Sequence, residues 1–472
     1  MDRILDNVIC NGLGLPFKRD IMVNVIPQNV FGVFVSVKRS KSQKLSKWPE
    51  DTHGCIGYWD NDFNELDKTV IYRKLLEVSK SATHNDNRKS YFPKPLHLDH
   101  EASYEIYFMK TPLIPIERVT GRMKNGKMFS NEEYGLIVTN RNNRATYLPK
   151  VFKKQAWTRI KTDLLRKANL VNTDGIMFYA YKCKIVSKQI KEIINARYVK
   201  TIFDNYAGFI NKNYRSFVPY SVKDGEITID RNNFVRNMAV LNDLKTMGFK
   251  LNNRVFTNVE RNIEYYIKMF YTNHSKMRQA SPFLLLALRD SKRHDKVKQG
   301  ICRFLYENIN KLEKKFELGE VLYGLTQECP DRTVLLKRQR EMYNEILTEN
   351  QDINNIFKYN WHGKFLDVLM IFLERNNVHV KQHIYEILVR TLNIIDKLDT
   401  SSETNYLAVG LECILSIKPY INKTKLQERI NEAVFKLFYL LQTRFKNGLY
   451  YFISGDARID ITNHVLNGLI LL

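Results

Sequence analysis

The pattern of apolar residues changes near residue 200, and this change limits the possible folds more than any other feature of the chain. Before it, short apolar runs rich in β-branched and aromatic residues alternate with turn residues, as strands do. The runs are GVFVSV at 32–37, YEIYFM at 104–109, YGLIVT at 134–139 and MFYAYKCKIV at 177–186. Helical spacing occurs between them, at 69–82 and 155–168. We predict an α+β domain over residues 1–198.

Helical periodicity dominates the rest of the chain. Val259, Ile263, Ile267 and Phe270 define one apolar helix face, and similar faces recur along residues 380–441. At 472 residues the chain is too long for one typical core, so a second domain is expected. We predict an all-α array of helical hairpins over residues 199–472.

One internal repeat indicates how that array is arranged. Residues 220–237 match residues 450–467 at seven of 18 positions, each copy having a Gly turn, an Ile-Asp pair and a helix. One copy begins the helical region and the other ends it, so a closed ring would make them neighbours. The arrangement resembles the six-hairpin α/α toroid of many carbohydrate-active enzymes and cyclases. An open α-solenoid is the alternative.

The repeat also supplies candidate site residues. Asp230 and Asp460 are candidates for paired acids at the mouth of a toroid. Each precedes a predicted helix, so helix capping is the favoured role. Arg458 and His464 occur only in the second copy and suggest binding there.

Five ordered segments in the first domain resemble the AMMECR family over about residues 15–195. They are GVFVSVKR at 32–39, HGCIGYW at 53–59, SATHNDNRKSYFPKPL at 81–96, Glu105, and the block at 134–170. The family signature usually reads RGCIG, so His53 replaces an Arg. The resemblance implies an α+β fold, and the family has no settled biochemical activity.

Cys55 has the most reactive side chain in the segment HGCIGYW at 53–59, which resembles the family signature. On a strand, His53 and Cys55 would share one face, and an imidazolium would make the thiol a better nucleophile. The alternative is that Cys55 is a small buried residue in a turn that needs Gly54 and Gly57. We favour the structural role.

Charged residues follow that signature. Asp86 and Arg88 could hold a ligand anion or form an ion pair that fixes a loop, and Glu105 needs a cationic partner, for which Arg88 is the candidate. The resemblance implies that these residues lie in one cleft with His53 and Cys55. Backbone N–H groups near Gly54 and Gly57 could bind an anion there.

Positive charge is concentrated between residues 141 and 200, where 15 Lys and Arg face 3 Asp and Glu in a chain of net charge +24. Such an excess attracts polyanions, above all RNA or DNA. Lys153, Lys154 and Lys161 are the candidate contacts. The alternative is a compositional excess without function.

Cysteines and histidines give little sign of a metal or a disulfide. The six cysteines are scattered and predict free thiols in a reducing, cytoplasmic compartment: Cys10, Cys55, Cys183, Cys302, Cys329 and Cys413. Two His groups, residues 84–100 and the pair His379 and His383, lack convincing ligand spacing and predict solvated surface. We expect no cofactor, no metal, no signal peptide and no membrane span.

These observations favour an AMMECR-like module that associates with a ligand or RNA, fused to a helical toroid that could bind a protein partner. Two alternatives stay open. One is an enzyme using carboxylates at the toroid centre, on a carbohydrate-like substrate. The other is a basic scaffold without catalysis.

Overall fold

A computed structural model describes residues 1–17, 23–40, 51–92, 95–140, 143–152, 155–170, 174–246, 251–272, 277, 279–311 and 315–472. The chain divides into two compact units, Met1–Ile193 and Ile194–Leu472.

The N-terminal unit is an α+β fold, as predicted. Its described elements are α1 (Asp2–Leu13), β1 (Val30–Lys38), β2 (Thr52–Trp59), α2 (Lys68–His84), β3 (Ser103–Ile116), β4 (Gly135–Thr139), β5 (Arg144–Tyr147), α3 (Trp157–Lys167) and β6 (Met177–Gln189). The six strands form one antiparallel sheet in the order β2-β1-β3-β6-β4-β5.

Two helices explain why β1 reads as a continuous apolar run. Helix α2 contacts β1 and β2, and α1 packs on α2. The opposite face of β1 carries Phe31 and Phe34, which join a second aromatic cluster with Tyr107 and Tyr181. With both faces covered, eight of its nine residues are buried.

The C-terminal unit is predominantly helical. Its described helices are α4 (Ala196–Asn213), α5 (Phe234–Thr246), α6 (Asn253–Thr272), α7 (Ser281–Ala287), α8 (Asp295–Asn308), α9 (Lys315–Glu328), α10 (Arg332–Thr348), α11 (Asn355–Phe372), α12 (Val378–Lys397), α13 (Thr404–Ile417), α14 (Thr424–Gln442) and α15 (Ile459–Leu469).

Alternate helices of this unit contact one another in a closed circuit. Helix α5 contacts α7, and the contacts continue through α9, α11, α13 and α15, which contacts α5 again. The helices between them pack against this circuit, as α6 does on α5 and α12 does on α11 and α13. This is the neighbour relationship that the toroid prediction requires, and an open array would leave α5 and α15 apart.

Short strands join the two ends of the circuit. Strands β7 (Ser221–Lys223) and β8 (Glu226–Thr228) pair, and β11 (Ala457–Arg458) pairs with β7. The two copies of the repeat are therefore neighbours, as predicted. Strands β9 (Phe445–Lys446) and β10 (Leu449–Tyr450) form a further short hairpin beside the predicted helices.

The prediction of six free thiols is wrong for one pair. Cys302 on α8 and Cys329 just after α9 form a disulfide. Their separation of 27 residues gives no local signal, but α8 and α9 pack against each other and bring the two Cα atoms to 6.5 Å. The other four cysteines are free.

The histidine prediction is also wrong at one position, because His383 on α12 is fully buried. Within the described ranges, no helix combines the length and the apolar character that crossing a bilayer needs.

Candidate functional site

A row of four side chains crosses the N-terminal sheet at Cys55. Strand register pairs Cys55 with Ser36, Ser36 with Glu105, and Glu105 with Ser187. Residues paired in this way project from the same face of a sheet. Tyr107, two residues after Glu105 and on the same face, donates its hydroxyl to the Glu105 carboxylate at 2.7 Å. The sheet thus brings Cys55 and Glu105 to one surface, with Ser36 between them.

Asp86 and Arg88 fix the loop that follows α2 against β2. The Asp86 carboxylate accepts the Cys55 backbone N–H at 3.0 Å and the Arg88 Nε–H at 2.9 Å. Burial would raise the pKa of Asp86, but these donors and the guanidinium outweigh it and hold the pKa at about 2. The proposed pairing of Arg88 with Glu105 is wrong, because Asp86 takes the guanidinium and Tyr107 takes the Glu105 carboxylate.

His53 does not face Cys55. The β1–β2 register shifts between Val37 and Lys38, beside His53. This bulge changes the alternation of side chains along β2. The His53 Nε2 atom lies 3.1 Å from the Thr83 carbonyl oxygen on α2, and the ring is buried. The predicted His53–Cys55 pair is therefore wrong.

The environment of Cys55 favours the neutral thiol. Burial raises its pKa, although Arg88, Ser36 and Lys38 partly oppose the shift. A partly buried thiol with a raised pKa is a poor nucleophile at neutral pH. Together with the separation from His53, this favours the structural role.

The glycines around Cys55 are required by close packing. A Cβ atom on Gly54 would lie 1.9 Å from the Ala82 carbonyl oxygen, and one on Gly57 would lie 2.3 Å from the Phe34 ring. Any side chain at either position would displace α2 or Phe34. The Cys55 N–H between them is already bound by Asp86, so it does not form the predicted anion site.

The structure describes one of the three lysines that were predicted to contact nucleic acid. Lys161 lies on α3 and donates to the Arg118 carbonyl oxygen at 3.3 Å. Lys153 and Lys154 lie outside the described residues.

A cavity of about 630 Å³ lies within the helix circuit of the C-terminal unit. Side chains from all six circuit helices, or from residues just before them, contribute to its wall. Its aromatic wall consists of Phe283, Tyr323, Phe357 and Trp361, and its ionisable groups are Arg236, Asp243, Glu320, Glu349, Lys358, Lys364, Arg458, Asp460 and His464. This volume suits a small molecule.

His464 is held by a buried carboxylate. Its Nδ1 atom lies 2.7 Å from Glu412, which also accepts from Lys364 Nζ and Asn360 Nδ2, each at 2.8 Å. Burial would raise the pKa of Glu412, but Lys364 and His464 lower it to about 2. An ionised carboxylate only accepts, so Nδ1 carries a proton and Nε2 is the ring nitrogen left for the cavity.

Asp243 is a buried carboxyl group in the cavity wall, and its pKa is shifted in the opposite direction from that of Glu412. Burial raises its pKa to about 6, although Lys364 opposes the shift. Its two oxygens accept from Asn463 Nδ2 at 3.0 Å and Asn467 Nδ2 at 3.2 Å. A smaller cavity of about 170 Å³ is lined by Asp243, Lys364 and Glu412, and of these Asp243 and Lys364 also line the larger cavity.

Arg236, Arg458 and Asp460 form an ion cluster where α5 meets α15. Arg458 Nε donates to Asp460 at 3.0 Å, and Arg236 Nε lies 3.5 Å from the same carboxylate. Arg458, Asp460 and His464 therefore share the cavity, whereas Asp230 does not line it and accepts the Asn232 N–H in a turn. The capping role predicted for Asp460 is wrong, because Asp460 lies inside the first turn of α15, where it binds both guanidinium groups.

Comparison with known families gives one match. The model of the AMMECR1 family matches residues 18–186. The chain carries an AMMECR1 domain. No curated protein matches the chain.

The AMMECR1 match ends before the helix circuit begins, so the two units need separate interpretations. Within the AMMECR1 domain, His53 stands where the family signature usually has Arg. Burial lowers the pKa of His53, which favours the neutral ring. A buried neutral imidazole cannot supply the positive charge of an Arg at this position.

Outside the AMMECR1 domain, sequence reasoning missed Asp243 and Lys364, which line the cavity, and Glu412, which contacts His464 behind its wall. One signal was present: Glu412 is the only charged residue in the apolar helix TNYLAVGLECILSI. A lone carboxylate in such a helix usually has a buried partner. Among the described residues, no group of three or more His, Cys, Asp or Glu side chains is arranged to hold a metal ion.

Proposed function

We propose that the C-terminal unit is an enzyme that performs acid–base chemistry on a small hydroxylated substrate of sugar size in the central cavity. The observation that carries the proposal is the Glu412–His464 pair, which fixes one ring nitrogen and leaves the other for the cavity. A general acid or base needs this kind of orientation.

His464 and Asp243 have complementary proton affinities. Burial opposes the imidazolium, but Glu412 outweighs it and raises the pKa of His464. His464 is therefore the proton donor. Asp243, with a pKa of about 6, is largely ionised at neutral pH and is the proton acceptor. Two groups whose pKa values are set by different environments are typical of acid–base sites.

Glu412 and Lys364 are positioning residues. Glu412 sets the orientation and charge of His464, and Lys364 neutralises Glu412. The Lys364 ammonium also lies 4.5 Å from the Trp361 ring centre, so the aromatic wall is held by the same group.

The substrate class follows from the cavity wall. Trp361 and Tyr323 offer flat apolar faces, and the amides of Asn242, Asn354 and Asn405 offer donors and acceptors. A ring with apolar faces and several hydroxyls matches both kinds of group.

The full chain can be incubated in D2O with a panel of monosaccharides and short oligosaccharides, monitored by NMR. We expect one of two results. Deuterium from the solvent replaces a hydrogen bound to a sugar carbon, or a glycosidic bond is cleaved. His464→Gln should abolish the reaction, and His379→Gln, the same change at an exposed position, should not. Conversion at an unchanged rate by the His464 variant would disprove the role of His464.

A further inference from the structure

Ionic groups are unevenly distributed around the cavity wall. Lys358 on α11 contacts two carboxylates, Glu345 at 3.1 Å and Glu349. Arg236 and Arg458 instead share one carboxylate, that of Asp460. The second cluster carries a formal charge of +1. The cavity therefore has a positive end where α5 meets α15.

The two guanidinium groups have donors to spare. Arg458 donates Nε and Nη2 to Asp460, and Arg236 donates Nη1 to the Tyr220 hydroxyl while its Nε lies 3.5 Å from the Asp460 carboxylate. In the part of the chain that the structure describes, Arg458 Nη1 and Arg236 Nη2 have no hydrogen-bond acceptor. Both side chains are partly buried, at 22% and 35% exposure. Partly desolvated guanidinium donors bind anions strongly.

Asp460 and the neighbouring aromatic rings hold these donors in place. The Arg458 guanidinium lies 5.7 Å from the Phe452 ring centre, and that of Arg236 lies 5.6 Å from the Tyr220 ring centre. Fixed side chains lose less entropy when they bind a ligand. One guanidinium would be enough to neutralise Asp460 in a purely structural ion pair. Here two guanidinium groups contact that carboxylate at the cavity wall.

An acidic group lies across the ring from this cluster. In a circuit of six helices, α9 is opposite α15, and α9 supplies the buried Glu320 to the cavity wall. A carboxylate accepts hydrogen bonds from the hydroxyl groups of a ligand. A ligand with one anionic end and several hydroxyls would thus have a single preferred orientation.

We infer that Arg236 and Arg458 form a subsite for the anionic group of the substrate, which makes the substrate an acidic rather than a neutral sugar. The inference rests on the proposed function and specifies its substrate. The shared chemistry is a carboxylate or a phosphate on a hydroxylated ring.

The test compares three probes by calorimetric titration of the full chain at low salt: D-glucuronate, D-glucose 6-phosphate and D-glucose. We expect at least one acidic sugar to bind about tenfold or more tightly than glucose, since charge-assisted hydrogen bonds are the stronger kind. The preferred anion identifies carboxylate or phosphate as the source. Arg236→Gln should reduce the ratio of the affinities for the acidic sugar and for glucose to about one. Arg293 does not line the cavity, so Arg293→Gln should leave this ratio unchanged.

Asp460→Asn should change the preference for the acidic sugar in the opposite direction from Arg236→Gln. It removes the negative charge beside the guanidinium groups, so the preference for the acidic sugar should increase. This also separates an anion site from general damage to the fold, which would weaken all three probes alike. Asp460→Asn decides the matter if Arg236→Gln does not fold.

Equal binding of all three probes by the wild type, or a preference that survives in Arg236→Gln, would overturn the subsite and leave the proposed function intact. Binding of none of the probes would overturn the subsite and would also remove the support for a sugar-sized substrate.

Discussion

His464 donates its Nδ1 hydrogen to the Glu412 carboxylate across 2.7 Å, from helix α15 to helix α13. The two residues are 52 positions apart, and Lys364 of α11 contacts the same carboxylate. Three neighbouring helices of the circuit thus meet at one buried charge. The protonation state of His464, which lines the cavity, depends on this contact.

Replacing Glu412 should lower the pKa of His464. In Glu412→Gln the imidazolium loses its carboxylate partner while burial persists, so NMR titration of the His464 ring should show protonation only at lower pH. Lys364 would be left buried without its counter-charge, at a cost of about 3 kcal/mol in the free energy of unfolding.

The matched control is Glu341→Gln, which breaks the exposed Arg338–Glu341 pair of the same unit. Its free energy of unfolding should change by about 0.5 kcal/mol or less. Equal losses in the two variants would show that Glu412 has no special structural role.

Asp243 should make the C-terminal unit less stable as pH rises. Its pKa is near 3.9 in an unfolded chain and about 6 in the fold, so the folded state binds the proton more tightly. The resulting stability is fully present below about pH 4 and is lost as pH rises through about 6. The loss amounts to about 3 kcal/mol.

Denaturant unfolding from pH 4 to 7 measures this effect by comparing wild type with Asp243→Asn. The difference in free energy of unfolding between them should move in favour of the variant as pH rises. A constant difference over this range would show that Asp243 does not titrate there. Glu412 loses its own contribution as pH falls from about 4.3 towards 2, and this loss is common to both proteins and cancels in the difference.

Cys55 should react slowly with iodoacetamide at pH 7. Burial raises the pKa of the thiol, so little thiolate is present in the folded protein. Mass spectrometry should find labelling of Cys55 at least about tenfold slower in the native chain than in denaturant. Rapid native labelling with a midpoint below pH 7 would instead identify an activated nucleophile.

Cys302 and Cys329 should appear as one linked peptide in a non-reducing digest. Closing a loop of this length stabilises a fold by about 3–4 kcal/mol. The double change Cys302→Ser and Cys329→Ser should lower the free energy of unfolding by about that amount, whereas Cys183→Ser should not. Alkylation of both thiols in the untreated protein would contradict the pairing.

Local patterns predicted much of the architecture. The strands at 32–37, 104–109 and 177–186 and the helices after residue 200 follow from periodicities of two and 3.6 residues, which depend only on near neighbours. The AMMECR1 domain was recognisable from its ordered segments. The adjacency of the two chain ends in the helical unit followed from the repeat at 220–237 and 450–467.

The sites depended on what the fold alone decides. A single bulge beside Val37 turned His53 away from Cys55, because a one-residue shift exchanges the two faces of a strand. Ring closure brought Asp243 to Asn463, 220 residues away, and helix packing brought Cys302 to Cys329. Sequence determined which segments are strands or helices, since that follows from local burial patterns. Only the tertiary structure decided which charges meet, because partners distant in sequence leave no periodic trace in either segment.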